Sequence, residues 1–280
     1  MRYIYTLFFI SFSFSASAQL SFNFGYSLGA PQQKMADHIK PVHSLVTGAM
    51  YRLPGKWDRV QVGVDLGWGM YANTRKMQTF NFGGGSSTQT WVNYSSNVIQ
   101  AGIASKVFLV KNKHVMPYAS GKLGYTSFYS NIFIEDPNDP DGCTALDQRN
   151  LIKDGTVSAG YGGGVQICWD AITKRKNNKD NYIDISVNSI RGGDLDYINT
   201  KKLIDANNPP TGTDGKPLNV RFINATTQEI HEHQVAEVYT TPLRLLEFKL
   251  SAVFYLTGKE ARNSHGSNCT RRSKCCLKNK

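Results

Sequence analysis

Val60-Gln61-Val62-Gly63-Val64-Asp65-Leu66-Gly67-Trp68-Gly69-Met70 alternates without interruption. Val60, Val62, Val64, Leu66, Trp68 and Met70 fall on one side of an extended chain. Gln61, Gly63, Asp65, Gly67 and Gly69 fall on the other. A period of two means a β-strand with one apolar face. Eleven residues also exceed the five or six of a typical globular strand and match the roughly 9 to 11 of a tilted membrane strand. The polar face combines glycine with a lone carboxylate, which suits a narrow interior better than a hydrated surface.

The same pattern recurs along the chain. Leu20–Leu28, Val98–Leu109, Tyr118–Asn131, Thr156–Trp169, Tyr182–Ile190 and Leu245–Leu256 each place apolar residues on one parity and Gly, Ser, Asn or charges on the other. Val42–Arg52 is the weak segment, with neither face clean. Counting it gives eight strands. The connections alternate in length: Leu53–Arg59, Val110–Pro117 and Asp170–Asn181 are short, whereas Pro31–Pro41, Ala72–Thr90, Ile134–Gly155 and Gly192–Pro242 run to 11, 19, 22 and 51 residues. Sorting of loops by parity is expected when one end of a barrel faces the periplasm and the other the outside. The expected fold is therefore all-β, an eight-stranded antiparallel up-and-down transmembrane β-barrel. The longest loop holds Leu218–Asn224 and Glu229–Tyr239, read as a hairpin above the membrane rather than a ninth and tenth spanning strand.

Residues 1–18 read as a secretory signal peptide: Arg2, an apolar run Tyr5–Phe14 too short to span a bilayer, and Ala16-Ser17-Ala18 before a cut ahead of Gln19. The barrel then occupies 19–256, and 257–280 forms a basic, cysteine-containing periplasmic tail. Of the formal net charge of +11, this tail supplies +6. The basic balance is thus largely a tail property, and no nucleic-acid partner is implied for an exported chain.

In signal peptide, strand count, loop parity and closing strand (Leu243–Leu256), the chain resembles the small eight-stranded outer-membrane barrels of the OmpA/OmpX type. More loosely it resembles the outer-membrane β-barrel domain proteins of Bacteroidota. The resemblance spans about Gln19–Leu256 and departs from the pattern in the 24 residues that follow. It implies a bacterial outer-membrane location with extracellular loops and both termini periplasmic.

Six charges fall on the lumen parity: Asp65, Asp184 and Glu247 with Lys106, Lys122 and Lys249. Equal numbers of each sign in a confined interior point to structural ion pairs rather than a conduction path. Tyr26, Trp68 and Tyr129 near the outer ends, and Trp169 and Phe254 near the inner ends, suit interfacial girdles. His231 and His233 share one face of a strand, a candidate metal pair short of the three or four ligands zinc takes. Asp136, Asn138, Asp139 and Asp141 resemble a calcium loop out of register, with Pro140 where a ligand belongs and Gly142 one position late. Cys168 lies near the inner end of its strand, within reach of Cys269, Cys275 or Cys276 for a disulfide. Cys143 in an outer loop is separated from the tail by the bilayer.

No cofactor and no enzymatic activity are expected. The rim residues Asp37, His38, His43, His231 and His233 match no catalytic spacing, although a rim-located hydrolase is the alternative of another class. A third reading is an accessory subunit of a secretion or assembly system. The reading adopted is a structural or surface-interaction protein. Lipid surrounds the barrel, a protein or polysaccharide partner meets the long loops, and anionic headgroups or a periplasmic partner meet the tail.

Overall fold

The computed structural model describes residues 19–81, 87–110, 114–137, 145–169, 181–203, 215–223 and 230–256. Among the described residues nine strands join in one antiparallel sheet: β1 (Gln19–Pro31), β2 (Val42–Arg52), β3 (Val60–Asn81), β4 (Ser87–Phe108), β5 (Val115–Glu135), β6 (Ala145–Cys168), β7 (Asn181–Ile198), β8 (Lys216–Ile223) and β9 (Ile230–Leu256). Eight of them run β1-β2-β3-β4-β5-β6-β7-β9, and the pairing of β1 with β9 from Leu20↔Leu256 to Pro31↔Leu245 closes the ring. β8 stands outside the ring and, among the described residues, pairs only with the upper part of β9, between Lys216↔Val238 and Ile223↔Ile230. The expected hairpin is therefore present and adds no spanning strand. A short helix, α1 (Lys34–His38), fills the connection between β1 and β2.

Closure at this radius brings strands very near each other. On Gly102 an added Cβ would stand 2.6 Å from the Leu123 carbonyl oxygen, and on Gly124 2.3 Å from that of Ala101. These two glycines pair directly across β4 and β5, and no larger residue fits without parting the strands.

The strands are far longer than the alternating segments that announce them. β3 and β4 each have 22 residues and β9 has 27. Much of what reads as loop, from Ala72 to Thr90 and from Ile134 to Gly155, is extended ribbon beyond the barrel. The physical reason lies in β4, whose geometry is regular from end to end while its chemistry reverses. Ile99, Ala101, Ile103 and Val107 point out and are exposed, opposite inward Gln100, Gly102, Ala104 and Lys106. Above Ile99, the outward residues are Asn97, Ser95 and Asn93, and the inward ones Val98, Tyr94 and Val92. Below this seam the apolar side faces out, and above it the apolar side faces in.

β3 crosses the seam differently. A register shift between Met70 and Ala72 inserts one residue, so even-numbered side chains point out below it and in above it. A one-residue slip exchanges the faces of everything that follows. β7 repeats the device between Arg191 and Asp194, after which Leu195 and Tyr197 turn inward.

Above the seam the ring opens. β6 leaves β7 at Ser158↔Gly192, and β2 leaves β3 at His43↔Met70. The upper halves of β3-β4-β5-β6 form one sheet and β7-β9-β8 another. Between them Phe80, Val92, Tyr94, Ile132 and Ile134 pack against Val220 and Val235, with Leu151 and Leu203 at the margin. A two-layered sandwich with its own dry core thus grows out of the barrel mouth. With about 3.3 Å per residue and a strand tilt near 40°, the eleven residues of β3 above Met70 carry it about 28 Å beyond the apolar belt.

The weak segment, β2, is explained by its inward side. Val42, Val46 and Met50 point into the barrel with Ser44 and Gly48, while His43, Leu45, Thr47 and Ala49 point out. Both faces are mixed because β2 lines apolar as well as polar layers of the interior.

Candidate functional site

The barrel interior is stacked in three layers, each set by what the inward parity supplies at that depth. The inner end is closed by Phe108, Met116, Tyr118, Cys168, Tyr182 and Val253, with Tyr255 against them. Arg52 lies over the rings of Phe108 and Tyr255, 5.2 Å from each centroid. The Tyr255 hydroxyl accepts from Gln61 Nε2 at 2.9 Å and donates to Gln166 Oε1 at 2.9 Å.

The middle layer holds the six charges read from the sequence, and the structure brings all of them together. Lys122 bridges Asp65 at 2.9 Å and Glu247 at 2.7 Å, while Lys249 reaches the second oxygen of Asp65 at 2.6 Å. Lys106 pairs with Asp184. The Asp184 carboxylate also accepts from the Tyr118 hydroxyl at 2.6 Å and from Gln166 Nε2 at 2.9 Å. Glu247 accepts from Asn188 Nδ2 at 3.1 Å. Buried ions are tolerable only when paired and hydrogen-bonded, and each carboxylate here has at least two partners.

The outer end is closed by a second apolar layer: Val42, Tyr71, Ala72, Val98, Phe128, Ile190, Leu195, Tyr197, Leu243 and Leu245, into which Met35 of α1 and the following Ile39 insert. The backbone of Thr200 and Lys201 donates to the His38 carbonyl at 3.0 and 3.2 Å, pinning the helix over the mouth. Burial pushes the Tyr197 hydroxyl up to about 12. Between this layer and the ions lies a cavity of about 40 Å³ lined by Asp65, Gln100, Lys122, Thr126 and Ser158, room for one or two waters. A charged middle thus lies between two apolar layers.

The sandwich has its own polar fasteners. Tyr94 donates to the Val235 carbonyl at 2.8 Å across the two sheets and accepts from Gln78 Nε2 at 2.8 Å. Lys76 Nζ reaches the Leu203 carbonyl at 2.8 Å. On the outer face Arg75 forks onto Glu135 at 2.9 and 2.6 Å and lies 4.7 Å from the centre of the Trp91 ring. That fork holds the Glu135 carboxyl below the usual carboxylate range.

The remaining candidates are dispersed. His233 packs edge-on against Phe80, 5.3 Å between centroids, inside the sandwich; the side chain of His231 lies outside the described residues. His43 is on the outer wall, bonded to the Tyr26 hydroxyl, and His38 stacks on Tyr239 at 3.8 Å over the outer plug. Three rim histidines therefore face three different surroundings. Among the described residues, no group of three or more His, Cys, Asp or Glu side chains is placed to hold a metal. Asp136 lies at the end of β5, while Asn138, Asp139 and Asp141 fall outside the described residues, as do Cys143 and the tail cysteines Cys269, Cys275 and Cys276. Cys168 is wholly buried in the inner plug, and the disulfide expected between it and a tail cysteine involves residues outside those described. Its side chain faces the lumen, as its parity in the sequence implies.

Trp68, Tyr26, Trp169 and Phe254 are exposed on the outer wall, and Trp68 Nε1 donates to the Tyr129 hydroxyl at 3.3 Å. Sequence reading missed the two plugs. Their signal is present, since Phe108, Tyr118, Tyr182 and Tyr255 are aromatics on the polar parity near inner strand ends.

A closed ring with exposed Phe24, Leu45, Val64, Leu66, Ile103, Leu123, Val157, Leu250 and Phe254 around an ion-paired interior defines an eight-stranded up-and-down transmembrane β-barrel. No family model and no curated protein matches the chain. Among solved structures it is similar to Ail, the attachment invasion locus protein of Yersinia pestis, at 10% identity and a TM-score of 0.35, covering 86% of this chain and 99% of that one. The same protein in complex with the heparin analogue sucrose octasulfate gives 12% identity, a TM-score of 0.34 and coverage of 86% and 99%. A major outer membrane protein from Thermus thermophilus gives 11% identity, a TM-score of 0.40 and coverage of 85% and 99%. One fold carries many functions, so function is argued from this chain's own residues.

Proposed function

We propose that this chain is an integral outer-membrane barrel that serves as a surface-interaction protein, with the outer sandwich as its contact module. The observation that carries this reading is the reversal of polarity at the seam. Below it the barrel is plugged at both ends, and above it the strands enclose a separate core of Phe80, Val92, Tyr94, Ile132, Ile134, Val220 and Val235. A protein that served only to fill a membrane would have no use for such a body. Among the described residues the sandwich also ends in ladder edges, such as β6 above Ser158, that pair on one side only. Unpaired edges are surfaces to which an extended chain can add. The reading places the sandwich outside and the short turns in the periplasm. Its support is that the three short turns carry eight Lys/Arg against three Asp, an excess suited to anionic headgroups.

The membrane assignment has a direct test. Val64 points outward in mid-belt. Val64→Arg on a hydrated surface changes stability by no more than about 0.5 kcal/mol, whereas at a bilayer midplane it costs about 2–4 kcal/mol. Urea titration of the chain refolded into phosphatidylcholine vesicles is expected to show the larger loss; an unchanged midpoint refutes a lipid-facing belt.

For the contact role, proteoliposomes of the intact chain are expected to bind a protein or polysaccharide target on an array of host and bacterial surface molecules. Replacing 73–93 by a short turn should abolish that binding without preventing insertion. Steady ion conduction across a planar bilayer, or binding undiminished by the replacement, would overturn the reading.

A further inference from the structure

Arg191 of β7 and Arg244 of β9 are direct partners in the ladder. Both continue the outward parity, Arg191 above Ile185 and Val187, and Arg244 above Leu250, Phe248 and Leu246. Two cations thus leave neighbouring strands on one face, with Cα atoms about 5 Å apart. Like charges so placed repel each other. Among the described residues no carboxylate forms an ion pair with either. The contact of Arg191 is with the Tyr161 ring, 5.5 Å from its centroid. Asp194, the next acidic residue, lies past Gly192-Gly193, where the register shifts.

The height of the pair is as telling as its charge. Below them on the same face come the half-buried Ser189 and Leu246 and then the exposed apolar Val187 and Phe248, and above are the outward Asp194 and Asp196. Arg191 and Arg244 therefore stand at the seam, where the phosphate layer of a bilayer begins. Arginine forks match phosphate oxygens two at a time, which a diffuse counterion does not.

We propose that Arg191 and Arg244 together seat the phosphate of an outer-leaflet lipid, with its acyl chain lying along Leu246, Phe248 and Val187 and Tyr161 flanking the headgroup. This rests on the outer-membrane reading and adds to it a defined lipid site. The anion cancels the repulsion across the ladder, and the site recognises phosphate and hydrocarbon together.

The test is native mass spectrometry of the mature chain released from phosphatidylcholine nanodiscs containing diphosphoryl lipid A. The wild type is expected to retain one lipid A molecule. Arg191→Gln/Arg244→Gln should weaken retention about thirtyfold, as two basic groups near an anionic surface imply. Lys202→Gln/Lys216→Gln removes equal charge from exposed positions above the seam and should leave retention unchanged. Equal retention in the Arg191→Gln/Arg244→Gln variant, equal loss in the lysine variant, or displacement by millimolar inorganic phosphate each overturns the site. Vesicle flotation of the wild type is scored separately: failure to float overturns the membrane reading and the site with it, whereas flotation without selective retention overturns the site alone.

Discussion

Asp184→Leu is expected to destabilise the barrel by about 3–5 kcal/mol, because it strands the ammonium of Lys106 in the interior. Asp184 is fully buried and receives Lys106, Tyr118 and Gln166. Removing it leaves three donors without their acceptor. Lys106→Met/Asp184→Leu should recover most of the loss, since a well-packed apolar pair commonly replaces a buried ion pair at little cost. Urea-dependent unfolding in phospholipid vesicles measures both. A single variant as stable as the wild type would mean that water enters the middle layer, and the sealed interior would have to be abandoned.

Ile132→Asp is expected to unfold the outer sandwich and leave the barrel standing. Ile132 is wholly buried among Phe80, Val92, Tyr94, Val220 and Val235. An unpaired carboxylate there costs several kcal/mol. The loss falls on one body because the barrel's ladders close independently between β1 and β9, and regions with separate cores open separately. Hydrogen exchange should show lost protection at 74–80, 88–94, 131–135 and 232–237 with retention at 99–107. Loss spreading to the barrel would show that the two bodies fold as one unit.

The barrel was legible in the sequence because lipid-facing strands write their exterior in alternating apolar residues, as Val60–Met70 does. The six lumen charges were legible for the same reason, standing on the opposite parity. The sandwich was not, and the cause is physical. The alternation persists through Val92, Tyr94, Val98 and Phe128, but its phase relative to the membrane pattern is reversed. In β3 the inserted residue at Tyr71 breaks the period as well. The run Asn73–Thr79 then read as loop because most of its outward members are polar. β2 was indistinct because Val46 and Met50 belong to the interior, and β4 and β5 cross the seam with their own parity unbroken.

The seam also sets a rule for anyone rebuilding the molecule. In β4 the tip can be lengthened or trimmed by two residues and every side chain keeps its medium; a change of one would send Tyr94 toward water. In β3 and β7 the offset at Met70/Ala72 and Arg191/Asp194 must travel with any transplanted head. Heads of different sequence are thus interchangeable on this stem provided parity is conserved, which makes the stem a general display scaffold.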